Sequence, residues 1–240
     1  MEQKGKKRIT VIALIVLLLL SVGGTLAYLT SSKTQQTTFT AGKVSISLDE
    51  AVLKQDGSGK IYVDGDKRTS ARQSYHLYPA MSVTKDPTIR VSSDSECAYV
   101  AAAITVKGNV YSLLGNGNSE HIDFTRLLSG GVLDETLTKN ENWNGLSVLE
   151  NDNFVLYQKA DKKNNTWTLY IFMKHIREPE STIVLFDTLS ISSSYDNDEM
   201  ALIDNMTIEV AAYATQTYGF NSCYHAMTSA FDSAFSFGSN

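Results

Sequence analysis

Met206-Thr207-Ile208-Glu209-Val210-Ala211-Ala212-Tyr213-Ala214-Thr215-Gln216 places an apolar side chain at every second position: Met206, Ile208, Val210, Ala212 and Ala214. Side chains of a strand alternate between its two faces, so this pattern marks a strand with one face buried. Earlier in the chain, Val44, Ile46 and Leu48 alternate in the same way with Ser45, Ser47 and Asp49. Residues 98–106 are nearly apolar throughout, as expected for a central sandwich strand. Shorter strands are predicted at 88–91, 154–158, 166–173 and 183–186. Asp56-Gly57-Ser58-Gly59 is a turn; after Ile61-Tyr62-Val63 comes a second turn, Asp64-Gly65-Asp66, and together they have hairpin chemistry.

Many short strands with polar turns, and no regular strand–helix alternation, predict an all-β fold: an antiparallel jelly roll or β-sandwich. Two segments have helical spacing. Ile122, Thr125 and Leu128 share a face over 119–128, and Phe220, Tyr224, Met227, Phe231 and Phe235 recur at steps of three and four in the tail, with Asn221 or Ser222 as its cap. Residues 107–153, with several Gly and Asn, read as an insertion between core strands. There is no internal repeat and no linker that would divide 43–240 into two domains.

The chain has 240 residues, 42% hydrophobic and 20% charged, enough to bury a core. Its net charge of −5 argues against a nucleic-acid partner, which usually meets a basic face. Three prolines and two cysteines exclude a collagen-like chain and a dense disulfide scaffold.

Lys4, Lys6, Lys7 and Arg8 precede an apolar run over 9–20, followed by Ser21, Val22, Gly23, Gly24, Thr25, Leu26 and Ala27. Basic start, short apolar middle and small-residue end are the three parts of a secretory signal peptide, residues 1–27. Gly23-Gly24 interrupts a helix just before the cut, and Thr25 and Ala27 offer the small side chains a signal peptidase reads. Cleavage is expected after Ala27, leaving Tyr28 first. If the segment instead stays as an anchor, it is the chain's one membrane contact, and the basic flank still places the body outside the cytoplasm. Without residues 1–27 the chain keeps 17 basic and 25 acidic residues, a net charge of −8. No wall-sorting motif or lipid-bearing cysteine is present, so any attachment to the cell is expected to come from assembly or a partner.

The residues give little support to catalysis. His76, His121, His175 and His225 are far apart, and none has the helical-turn spacing of a zinc hydrolase. No Gly-x-Ser-x-Gly elbow occurs. Tyr195-Asp196-Asn197-Asp198-Glu199 concentrates oxygen atoms but lacks the spacing of a twelve-residue calcium loop, and ordinary turn chemistry explains it better. No catalytic residue, metal site or cofactor is predicted. Cys97 and Cys223 are an even count in an exported chain: either one disulfide, stabilising by about 3–4 kcal/mol, or two buried thiols that never meet.

The segment after the cut, 28–42, is rich in Thr and Ser and has no acidic residue; Tyr28 and Leu29 are apolar anchors at its start and Phe39 near its end. Lys33-Thr34-Gln35-Gln36 has no apolar face to bury. Such a segment either stays a loose leader or pairs with the open edge of a neighbouring sheet, where main-chain hydrogen bonds supply affinity.

Gly23-Gly24-Thr25-Leu26-Ala27-Tyr28-Leu29-Thr30 and Thr38-Phe39-Thr40-Ala41-Gly42-Lys43-Val44-Ser45-Ile46 resemble the start of the TasA/camelysin family, exported bacterial proteins processed by a SipW-type signal peptidase. In that family a Phe-x-x-Gly motif opens the first strand, and Phe39-x-x-Gly42 resembles it. Tyr78-Pro79-Ala80-Met81-Ser82-Val83-Thr84-Lys85 is similar to the family's Pro-Gly-x-x-x-x-Lys segment, with Pro79-Ala80 in place of Pro-Gly. Leu185-Phe186-Asp187-Thr188-Leu189, residues 208–216 and the tail from Gly219-Phe220 to Phe235 are similar to later parts of the family. The likeness has gaps at 49–74 and 107–153, and the acidic residues common after the cut are missing here.

The resemblance implies a jelly-roll protein of a Gram-positive bacterium, secreted to the cell surface or biofilm matrix. It implies a dedicated signal peptidase and self-association, or association with related matrix subunits, by donor-strand exchange. The donor segment would be about 28–40, with Tyr28, Leu29 and Phe39 as anchors. Two alternatives stand beside it: a camelysin-like surface metalloprotease, which no motif supports, and a monomeric binding module whose 107–153 insertion contacts a ligand.

Overall fold

The computed structural model describes residues 30–33, 43–109, 111–115, 122–143, 145–235 and 237. Its strands form three sheets in which every pairing is antiparallel. The largest runs in the order β1 (Thr30–Lys33), β14 (Thr207–Gln216), β6 (Ala98–Lys107), β11 (Thr166–Met173), β10 (Phe154–Asp161), β9 (Leu146–Glu150) and β8 (Thr138–Trp143). A four-stranded sheet follows the order β12 (Thr182–Val184), β5 (Thr88–Val91), β2 (Ile46–Gln55) and β3 (Ile61–Thr69). The third contains β4 (Ser82–Thr84), β13 (Thr188–Ser190) and β7 (Leu128–Ser129). The chain crosses repeatedly between sheets, from β5 to β6, from β11 to β12 and from β13 to β14, giving an all-β antiparallel sandwich with jelly-roll-like crossings.

Alternation explains how the layers meet. Ala98, Val100, Ala102, Ile104 and Val106 of β6 share one core with Ile46, Ile89 and Val91 of the four-stranded sheet and with Val83, Leu128 and Leu189 of the third. The intervening Tyr99, Ala101 and Ala103 face the opposite way, into a second cluster. A strand buried on both faces has no polar face to offer, which is why 98–106 is nearly apolar throughout. The second cluster is closed by the tail. Helix α3 (Cys223–Ala230; α1 and α2 are Tyr111–Leu114 and Asn197–Ile203) and the chain after it bring Met227, Phe231 and Phe235 against Tyr170, Phe172 and Tyr213. Ser222 is the cap of α3, its hydroxyl accepting from the His225 N–H at 3.2 Å.

Several expectations change. In place of a helix over 119–128, the described part is a single 3-10 turn, Phe124–Arg126, followed by β7; buried Phe124, Leu127 and Leu128 follow the core contour. Asp64-Gly65-Asp66 is no hairpin turn. It lies inside β3, where the pairing with β2 jumps from Ala51↔Arg68 to Leu53↔Val63 and Gly65 takes φ +60° at the bulge. Asp196 to Glu199 start α2 rather than a simple turn: the Asp196 carboxylate accepts from the N–H groups of Asp198 and Glu199, and Glu199 accepts from the Asp196 N–H. Residues 107–153 are woven into the sheets through β7, β8 and β9. Exposed Lys139 and Glu141 on β8 put charge on the far edge of the large sheet, which discourages further pairing there.

The disulfide is not formed. Cys97 is exposed, whereas Cys223 is buried with its thiol donating to the Val100 carbonyl oxygen at 3.3 Å.

Candidate functional site: the edge of the large sheet

Strand β14 has β6 on one side along its whole length, pairing Thr207↔Lys107 through Gln216↔Ala98. On its other side β1 covers only part of it, with Thr30 opposite Thr215 and Lys33 opposite Ala212. Among the described residues, 207–211 has no strand partner on that side. Of the residues beside β1, Ala212, Ala214 and Thr215 are buried and Tyr213 is half-buried, whereas Ile208, Val210 and Ala211 are half-buried and Glu209 is exposed. A strand edge without a partner presents main-chain N–H and C=O groups to any extended segment that can lie beside it.

A cleft of about 960 Å³ runs along this edge. Its lining includes Ile208 and Val210 of β14, residues 47–50 of β2, residues 69–75, Lys85 and Leu189. Beyond Asp49, β2 has no further partner in β5, and side chains take over. The Ala51 N–H donates to Asp86 Oδ1 at 2.7 Å, and the Leu53 N–H donates to Gln73 Oε1 at 2.7 Å. Gln73 Nε2 donates to the Ala51 carbonyl at 2.8 Å and to Glu50 Oε1 at 2.9 Å. The other oxygen of Glu50 is paired with Lys85, in an ion pair whose side chains are 15% and 11% exposed.

Arg68 closes the base of this region. Its guanidinium donates to Asp86 Oδ2 at 2.7 Å, Thr88 Oγ1 at 2.9 Å and the Asp86 carbonyl at 3.1 Å, and is also paired with Asp49. Burial works against its charge, but Asp86 and Asp49 outweigh that and hold its pKa above the ordinary value. Tyr75 lines the cleft, and burial, helped by the charge of Glu50, pushes its hydroxyl up to about 12. Arg68 and Lys85 are matched to carboxylates and hold the wall in place, Arg72 is exposed in the lining, and the main chain of 207–211 has no strand partner on its outer side among the described residues.

Of the residues singled out from sequence, Lys85 reaches the cleft and Pro79 does not. Pro79 is exposed in a turn closed by the Met81 N–H donating to the Tyr78 carbonyl at 3.2 Å. Ala80 takes φ +64° there, a left-handed conformation that glycine adopts without strain. Thr25, Ala27, Tyr28, Leu29, Phe39, Gly42 and His121 lie outside the described residues. His76, His175 and His225 are exposed on separate elements, and among the described residues no group of three or more His, Cys, Asp or Glu converges as for a metal ion. No helix among those residues is long and apolar enough to cross a membrane. Glu50, Arg68 and Gln73 were not legible beforehand: they fall where the sequence has no periodicity, and only folding brings them together.

No family model matches the chain, and comparison with curated proteins and with solved structures gives no match either.

Proposed function

We propose that this chain is an exported structural subunit of a bacterial cell surface or biofilm matrix, assembling with copies of itself or related subunits by strand exchange. The observation that supports this most is the pairing of Thr30–Lys33 with 212–215 at the edge of the large sheet. The paired segment is polar, Thr-Ser-Ser-Lys, and stands ahead of the first strand of the sandwich core. A strand that brings main-chain bonds and little apolar surface is well suited to exchange, because an equivalent segment of a second copy can make the same bonds. The export signal at 1–27 and the resemblance of the 23–46 region to the TasA/camelysin family point the same way. SipW-type cleavage after Ala27 would free the donor segment 28–40, with Tyr28, Leu29 and Phe39 as its apolar anchors in the receiving subunit.

The test is electron microscopy of the secreted protein with and without residues 28–40, with its mature amino terminus sequenced. Filaments from a chain starting at Tyr28, lost on the deletion while circular dichroism keeps the β-sheet signal, are the expected result. Identical filaments after the deletion would refute donor-strand exchange.

A further inference from the structure

We propose that Gln73 is a positioning residue for strand capture: its amide fixes residues 70–75, which line the same cleft as the half of β14 that has no strand partner among the described residues. This rests on the strand-exchange reading above and concerns the part of the cleft that β14 does not supply. The chain between β3 and β4, from 70 to 81, contains no strand or helix. Ser70, Ala71, Arg72 and Ser74 are exposed, so burial does little to hold them. Gln73 is the half-buried exception among them, and its one side chain makes three hydrogen bonds to β2: from Leu53 N–H, to the Ala51 carbonyl and to Glu50 Oε1.

These bonds lie just past the end of β5, so the amide occupies the place where a longer β5 would have paired. The primary amide suits that place because it both accepts from an N–H and donates to a C=O, as a backbone peptide does. Glu50 ties the same point to Lys85. The tethered residues 70–75 line the same cleft as Ile208 and Val210. A strand added to 207–211 must share that cleft, so the tether sets the room for its inward side chains. Releasing the tether leaves the β14 edge intact and frees residues 70–75 of the cleft lining.

Gln55 provides an internal control. Its side chain also makes three hydrogen bonds, to the Gly59 and His76 carbonyls and from the His76 N–H, and it holds the far end of the same segment outside the cleft lining. The experiment compares the critical concentration for assembly of the secreted protein, read by light scattering, for wild type, Gln73→Ala, Gln73→Glu and Gln55→Ala. Gln73→Glu keeps the shape and the acceptor but loses both donated bonds, and serves if the alanine variant does not fold. The expected result is a rise of roughly tenfold for both Gln73 variants, the scale of one or two lost hydrogen bonds, with Gln55→Ala within about twofold of wild type at a similar melting temperature. Unchanged assembly in the Gln73 variants, or an equal rise in Gln55→Ala, overturns the positioning role and leaves strand exchange standing. A wild-type protein that does not assemble at all overturns both.

Discussion

Truncating Phe235 tests whether the tail belongs to the core or merely lies on it. Phe235 is 1% exposed and packs its ring at centroid distances of 4.8 Å from Tyr213 of β14 and 5.4 Å and 5.6 Å from Phe172 and Tyr170 of β11. Phe235→Ala removes the ring from all three at once. Core Phe→Ala changes cost about 3–5 kcal/mol, and the tilted and edge-on ring contacts favour the upper half of that range, so about 4 kcal/mol is expected. For a chain of this size that lowers the melting temperature by about 8–16 °C. Phe235→Leu refills most of the volume and should cost about 1–1.5 kcal/mol.

The protein carries its own reporters for this measurement. Trp143 packs in the tail cluster, 4.9 Å from Tyr224 and 5.7 Å from Phe172, and Trp167 is buried in the other core. Urea unfolding followed by fluorescence in Trp143→Phe and Trp167→Phe backgrounds therefore reads the two layers separately. Coincident transitions, both shifted by the full amount in Phe235→Ala, are expected of one cooperative unit. A loss below about 1 kcal/mol, or a tail layer that melts while Trp167 stays native, would show that the second face of the large sheet is not stabilised in the way described.

Further predictions concern the cleft wall, the turn and the thiols. Lys85→Met alone should cost about 2–4 kcal/mol by stranding the Glu50 carboxylate, and the double change Lys85→Met with Glu50→Leu should recover most of it in a double-mutant cycle. Ala80→Gly should stabilise by about 0.5–1 kcal/mol in urea titrations, because relief of the left-handed conformation at φ +64° exceeds the added freedom of the unfolded chain. In the native state iodoacetamide should label Cys97 and spare Cys223, with both labelled in denaturant, checked by intact mass. Alkaline pH should destabilise the fold. Burial pushes the Cys223 thiol from 9.0 up to about 12 and the Tyr75 hydroxyl from 10.0 up to about 12, so from pH 9 to 12 the unfolded chain has lost protons that the folded chain keeps. Stability then falls as pH rises through that window, and Cys223→Ala should flatten the decline.

Legibility varied with how local the cause was. Residues 88–91 and 166–173 were predicted to the residue as strands, and 206–216 nearly so, because alternation or unbroken apolarity sets each one by itself. Strands β8 and β9 were not, because Thr-Lys-Asn-Glu-Asn-Trp has no apolar face; it is a strand because β9 and then β10 pair beside it. The predicted helix at 119–128 failed for the converse reason. Ile122, Thr125 and Leu128 fit a helical face, but burial of Phe124 and pairing of β7 with β13 satisfied the same residues in another conformation.

The sequence by itself determined the all-β class, the central strand β6 and the capped tail helix, because side-chain period, apolarity and capping chemistry act over a few neighbouring residues. Tertiary structure decided that β6 and β11 are buried on both faces, that Cys97 and Cys223 stay apart, and that among the described residues β14 is partly uncovered at a cleft where Gln73 pins the lining segment 70–75. These depend on which segments lie side by side. Pairing joins Thr30 to Thr215 and side-chain hydrogen bonds join Gln73 to Leu53, and no pattern within either segment encodes its distant partner.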